Sequence, residues 1–323
     1  MPAKAKRPRS PSLEKSVDSA TNQSKKLKLL ETHALESPFP DFQRPTPSEA
    51  REVHDLLSRT HPDIAVVSKV AEASNDAAGT CGKVPNVLES LIGTILSQNT
   101  SSKNSTAAKH SLDETFGRNN FEAIASADKS AVVEAIRMGG LANKKADVIQ
   151  RILRQVKEKY GVYSLQHLAG VAEQPLADQK PIKMEETRVY SNEEAMKELV
   201  SFEGVGPKTA SCVLLFCLGR TSFPVDTHVF RLSRLLGWVP PRADRVTAQA
   251  HLDIRIPNEL KYGLHVLMVG HGRRCKGCKN GGRGDCVLKT WLKTKKGMGA
   301  EELDSLTLKI DDETEKKLLD GPS

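Results

Sequence analysis

The chain reads as an all-α protein. Apolar residues recur at three- and four-residue spacing over most of its length, and no stretch shows the two-residue alternation of a half-buried strand. Aromatic residues are only 4% of the 323, so the core must come from Leu, Val, Ile and Ala, a composition that suits helices. The length allows one large or two small domains with a substantial core.

Residues 1–38 are rich in Lys, Ser, Pro and Ala without periodicity and are expected to form a disordered basic tail. Residues 1–30 hold eight Lys/Arg against two acids, so this segment carries six of the chain's net eight positive charges. The basic runs at 4–9 and 25–28 fit a nuclear-import signal or a generic nucleic-acid-binding arm. A mitochondrial address is the other reading, opposed by Glu14 and Asp18. No apolar run is long enough to cross a membrane, and no secretory signal is evident, so a soluble protein is expected.

From Asn86 the helical period is clear. Asn86 can cap a helix that turns Val87, Leu88, Leu91, Ile92, Ile95 and Leu96 inward. A shorter helix spans Ser130 to Met138 with Val132, Val133 and Ile136 inward. Asn143 is placed to cap another, with Ile149, Ile152, Leu153 and Val156 on one side. Residues 164–190 are a polar interruption, read as a surface insertion. A helix carrying Val213, Leu214 and Cys217 comes next. Another begins at Asp226, buries Val229, Leu232, Leu235 and Leu236, and ends at Gly237. Ile254 to Val269 reads as one further helix, and 297–323 as an acidic tail.

The most informative segment is EGVGPKTASCVLLFCLGRTSFPVDTHVFRLSR (203–234). Gly204-Val205-Gly206 forms a tight turn that opens directly into an apolar helix. Such a turn leaves N–H groups facing outward at a helix start, with the helix dipole behind them, which suits a phosphate. Pro207 fits an early helical position, where its missing N–H is not needed. Lys208 sits in the first turn of this helix, and Asp226 heads the next one. An amine and a carboxylate beside a phosphate-binding turn point to chemistry on a nucleic-acid sugar.

Three blocks carry a family resemblance: LIGTILSQNTSSKN (91–104), GGLANKKA (139–146), and GVGPKTA (204–210) with VDTHVFR (225–231). Together they resemble the helix-hairpin-helix (HhH-GPD) superfamily of base-excision DNA glycosylases, endonuclease III in particular. The resemblance implies two helical lobes with a helix-hairpin-helix motif. One lobe spans 84–220; the other combines 40–83 with 221–296; the active site lies in the cleft between them. It implies a monomer that acts on double-stranded DNA carrying a damaged base or abasic site, as a bifunctional N-glycosylase and AP lyase in base-excision repair. Oxidised pyrimidines are the implied substrates. Another base is the alternative: 5-methylcytosine, since 222–240 also resembles the plant 5-methylcytosine glycosylases, or mismatched thymine, or an oxidised purine. A non-catalytic DNA-binding protein is the competing class.

By the same resemblance Lys208 is the nucleophile and Asp226 stabilises the cationic sugar and assists deprotonation. Gln98 and Leu141 fill the gap left by an extruded base. Gly204, Val205, Gly206 and Thr209 complete the DNA contacts. His228 reads as structural or DNA-adjacent rather than as a base. Ala142 departs from the aromatic residue often found in the family at that position.

The chain has six cysteines, with no sign of a secreted disulfide framework. Relatives of endonuclease III commonly hold a [4Fe–4S] cluster on C-x6-C-x2-C-x5-C. This chain offers only Cys275, Cys278 and Cys286, as C-x2-C-x7-C. An incomplete ligand set implies no cofactor; a cluster with one non-cysteine ligand and a zinc ion completed by His271 stay open. Residues 271–296 hold nine Lys/Arg against Asp285 alone, which fits a phosphate-facing surface.

Overall fold

The computed structural model describes residues 36–64, 85–170, 190–278 and 284–297. The expected basic tail, most of the insertion at 164–190, the acidic tail beyond 297, residues 65–83 of the second lobe, and Cys81 lie outside the described residues. All regular structure among the described residues is helical.

Helix α1 (Pro47–Thr60) opens on a capping box between Thr46 and Glu49, with Pro47 at its first position. Helix α2 (Val87–Leu96) is capped by Asn86, whose side chain accepts from the Glu89 N–H at 2.9 Å, and each of its residues is buried. A helix buried all round lies at the centre of a core. Helix α2 packs against α3 (Ser102–Phe116) and the long α6 (Ala142–Tyr160); the short α4 (Phe121–Ser126) and α5 (Lys129–Ala135) pack on α6 in turn, and α7 (Asn192–Ser201) completes the cluster. Helix α8 (Pro207–Cys212) continues into a π-helical turn at Val213–Cys217. Then come α9 (Thr227–Leu235), α10 (Arg245–Arg255), α11 (Asn258–Arg274) and α12 (Val287–Lys296).

The apolar side chains form two clusters. One gathers residues from Val87 to Cys217. The other joins Phe39 and α1 to residues from Phe223 to Leu292, around the fully buried Trp238. Helix α1 packs against α11 and α12, so this second cluster is assembled from both ends of the described chain.

Three helix boundaries differ from the sequence reading, the first being that the helix expected to reach Met138 ends at Ala135, followed by a 3-10 turn at Arg137–Gly139. Asn143 is not a cap: α6 starts at Ala142 behind Leu141, which makes no side-chain capping bond. Ile254 to Val269 is not one helix. Pro257 forces Ile256 into extended backbone (φ −81°, ψ 125°), which ends α10, and α11 starts afresh at Asn258.

A charged cluster lies beneath α2. Lys109 donates to Glu89 at 2.9 Å and also pairs with Asp113, while Arg118 Nε reaches Glu89 at 3.1 Å. Burial alone would raise the Glu89 pKa, but the bonds from Lys109 and Arg118 outweigh it and hold the carboxyl below its ordinary value. Removing one partner of a buried pair strands the other. Lys109→Met is therefore expected to cost about 3 kcal/mol in denaturant unfolding, and adding Glu89→Gln to it should recover part of that loss.

Candidate active site

The site is organised by a short crossover, residues 218–226, which leaves the first cluster after the π turn and enters the second at Phe223. It has no regular structure, so its backbone groups need other partners. The Phe223 N–H donates to Asp253 Oδ1 at 2.6 Å, and the Val225 N–H to Gln249 Oε1 at 3.2 Å. The Pro224 carbonyl accepts from His265 Nδ1 at 2.9 Å. Ser211 of α8 and Ser222 share a buried hydrogen bond of 2.6 Å. Arg220 donates to the carbonyls of Leu168, Tyr190 and Ser191. Burial raises the Asp253 pKa, with Lys261 at 3.2 Å opposing the rise.

Upstream of the crossover lies the glycine turn. Gly204 has φ +90°, and a Cβ there would come within 2.7 Å of the Val148 side chain, so position 204 takes only glycine. Val205 is buried and its N–H donates to the Phe202 carbonyl at 3.1 Å. Gly206 is the N-cap of α8, offers no side-chain cap, and faces open space. Lys208 follows, half-buried. Thr209 is buried, and its hydroxyl accepts from Gln98 Nε2 at 3.0 Å, which ties the loop after α2 to the start of α8.

Asp226 caps α9: its Oδ1 accepts from the Val229 N–H at 2.8 Å. Lys208 and Asp226 thus stand on elements of different clusters, which the Ser211–Ser222 bond ties together. His265 of α11 is 5% exposed and stacks edge-on to Phe216 and Phe223. Burial pushes its pKa down to about 4; the Asp226 charge pulls it up and the Lys208 charge pushes it down. Because Nδ1 donates to a carbonyl, this neutral imidazole carries its proton there. His228 is half-buried, and its Cβ packs against the Gly272 backbone of α11.

Leu141 is 55% exposed in the left-handed region, at φ +51° and ψ 30°. A leucine there costs roughly 1–2 kcal/mol, and neither burial nor capping offsets it. Neighbouring Met138 is 63% exposed. The turn below is held by Lys145, whose buried ammonium donates to the Leu96 carbonyl (2.8 Å), Thr100 Oγ1 (2.7 Å) and the Gly139 carbonyl (2.8 Å). It therefore locks the Gln98 loop to the Leu141 loop, and burial lowers its pKa to about 8. Sequence reasoning missed this residue, although Lys145 shares the buried face of α6 with Ile149, Ile152 and Val156. It also missed His265, which no periodicity marks.

A cavity of about 260 Å³ opens behind α8, lined by Pro207, Leu214, Gln249, Asp253 and Lys261; neither Lys208 nor Asp226 lines it. Away from the crossover, Cys275, Cys278 and Cys286 gather with His271, their donor atoms all within 4.8 Å of one another, a set able to hold a metal ion. Among the described residues no helix is long and apolar enough to cross a membrane.

A glycine turn feeding a lysine-bearing helix, with an aspartate-headed helix beyond a pinned crossover, defines a helix-hairpin-helix repair protein. The family model described as "HhH-GPD superfamily base excision DNA repair protein" matches residues 92–257. A candidate DNA glycosylase of Arabidopsis thaliana is 38% identical over 75% of this chain and 81% of its own. Endonuclease III of Sulfolobus acidocaldarius is 28% identical over 70% of this chain and 90% of its own. Among solved structures, a trapped endonuclease III–DNA covalent intermediate superposes with a TM-score of 0.53 at 22% identity, covering 73% of this chain and 89% of that one. The chain belongs to the HhH-GPD superfamily, a family of base-excision DNA glycosylases.

Two outcomes follow from the buried groups. His265 titrates lower in the folded chain than its ordinary 6.5. Its contribution is therefore complete above pH 6.5 and is lost as pH falls toward 4. Thermal melts should show wild type losing stability over that window, and His265→Gln should flatten the slope. Lys145→Met, which cannot bridge the two loops, should leave far-ultraviolet circular dichroism unchanged and weaken binding to an abasic-site duplex roughly tenfold, the loss expected for about 1.4 kcal/mol.

Proposed function

We propose that this protein is a bifunctional DNA N-glycosylase and AP lyase of base-excision repair that removes oxidised pyrimidines. The carrying observation is that α8, which bears Lys208 in its first turn, is bonded through Ser211 to Ser222 of the crossover that ends at Asp226, the N-cap of α9. A site for a sugar needs its nucleophile and its acid in one neighbourhood.

In this reading the substrate is double-stranded DNA with a damaged base or abasic site. The base is rotated out of the duplex, leaving a gap that costs a few kcal/mol if unfilled. Exposed Leu141 is the wedge, and Gln98, steadied by Thr209, faces the unpaired base. The backbone of Gly204, Val205 and Gly206 receives a phosphate. The Lys208 amine, as free base, attacks C1′ and the base leaves with the glycosidic electron pair. The nitrogen then loses its proton as its lone pair expels O4′ from C1′, which opens the sugar ring to an imine while O4′ takes up a proton; the imine acidifies the C2′ proton, and removal of that proton expels the 3′ phosphate by β-elimination. Asp226 stabilises the cationic sugar and takes up protons. The basic runs at 4–9 and 25–28 favour a nuclear location, and the protein works as a monomer.

Borohydride reduction on an abasic-site duplex tests the reading. Wild type should be captured as a covalent adduct and Lys208→Ala should not; the absence of adduct from wild type would reduce the chain to a binding module. Asp226→Asn keeps a side chain suited to capping α9 but loses the charge. It should slow base release from an oxidised-pyrimidine duplex by roughly 10²-fold or more with an unchanged melting temperature.

A further inference from the structure

The family's cluster and this chain's donors do not match. A cubane wants four thiolates splayed around a body of iron and sulfide, wider than one atom's coordination sphere. The described donors are three thiols and one imidazole, drawn together within 4.8 Å. His271 Nε2 lies 3.2 Å from Cys278 Sγ and 3.6 Å from Cys286 Sγ, and those two sulfurs are 3.0 Å apart. A tetrahedral zinc ion, with bonds of about 2.3 Å to sulfur and 2.0 Å to nitrogen, holds its donors roughly 3.5–3.8 Å apart. The observed separations, from 3.0 Å to no more than 4.8 Å, bracket the sphere of one ion, and the sulfur separation is well beyond a disulfide bond of about 2.05 Å.

Three further observations point the same way. The site is closed: His271, Cys278 and Cys286 are buried and Cys275 is half-buried. The turn between Cys275 and Cys278 needs Gly277, where a Cβ would fall 2.6 Å from the Gly284 carbonyl oxygen, so the backbone is folded tightly under the thiols. His271 Nδ1 is 2.8 Å from His61 Nε2. With Nδ1–H donating to His61, the His271 Nε2 lone pair is aimed at the thiols, the arrangement that orients a metal-bound histidine.

We propose that His271, Cys275, Cys278 and Cys286 form a structural Cys3His zinc site in place of an iron–sulfur cluster, with His61 as its orienting partner. The ion joins the C-terminal end of α11, the turn at 276–278 and the first turn of α12, and through His61 it reaches the end of α1. It has four protein ligands and no open position, so it takes no part in chemistry at the sugar. Its effect is architectural: it fixes the end of α11, from which Arg273 Nη1 crosses to Ser102 Oγ at 3.0 Å.

Elemental analysis of the full chain, purified without a chelating tag, tests this alongside an assay for labile sulfide. Stoichiometric zinc with negligible iron and sulfide is expected. Cobalt(II) added to chelator-stripped protein should give the visible bands and thiolate charge transfer of a tetrahedral sulfur-rich site. Cys286→Ser should lose the metal, and His61→Ala should release zinc to a competing chelator roughly 10–100-fold more readily. Equal amounts of iron and sulfide would overturn the proposal. So would metal-free protein that develops no cobalt spectrum, or one in which Cys278 and Cys286 are oxidised to each other. Should Cys286→Ser fail to fold, the wild-type metal content and cobalt spectrum decide alone, and neither readout depends on glycosylase activity.

Discussion

Nine residues without helix or strand hold the molecule's two halves in register. The crossover from Leu218 to Asp226 has little secondary structure to steady it, yet it carries the chain from the end of α8 and its π turn to the head of α9. Side chains supply what regular structure would have supplied. Asp253, Gln249 and His265 satisfy its backbone from one side, and Arg220 and Ser211 anchor it from the other. His265 is therefore a strut for the loop, its Nδ1 on the Pro224 carbonyl and its ring edge-on to Phe223. A neutral imidazole suits that task, because burial disfavours its charged form.

The two loops at the far side of the first cluster follow a similar principle. Lys145 spends all three ammonium donors on backbone and hydroxyl oxygens, so the Gln98 loop and the Leu141 loop behave as one rigid rim. Rigidity there permits Leu141 to stay in a backbone region leucine avoids, with its side chain in solvent. Neither the core nor a cap explains this feature.

Much of this was legible in the residues. The Asn86 cap and the apolar positions of α2 follow from spacing alone, as do the Asp226 cap and the inward face of α9, but the burial of Glu89, Ser90 and Thr94 on the other side of α2 does not. What escaped had physical causes. The left-handed backbone at Leu141 is set by the lock beneath it and leaves no local mark, so the cap was assigned to Asn143 instead. The break at Pro257 was overridden by apolar spacing that happens to continue through it. Lys145 looks like a surface lysine until the register of α6 is followed, and His61 is 210 positions away from the residue it orients. Contacts between distant segments are not written in any local pattern. The cysteine run showed that a cubane pattern was broken, but only the donor spacing distinguishes one ion from a cluster.

The discontinuous second cluster has a consequence for biosynthesis. Helix α1 is among the first parts of the described chain to leave the ribosome, yet its packing surfaces, α11 and α12, are among the last. The first cluster is contiguous and can close while translation continues. Helix α1 must meanwhile remain an unburied amphipathic segment, protected by its capping box and Pro47 but without a mate. The half that carries Asp226 closes only after α11 and α12 have been made, so a chain truncated before α11 would hold a closed first cluster beside an unassembled second one.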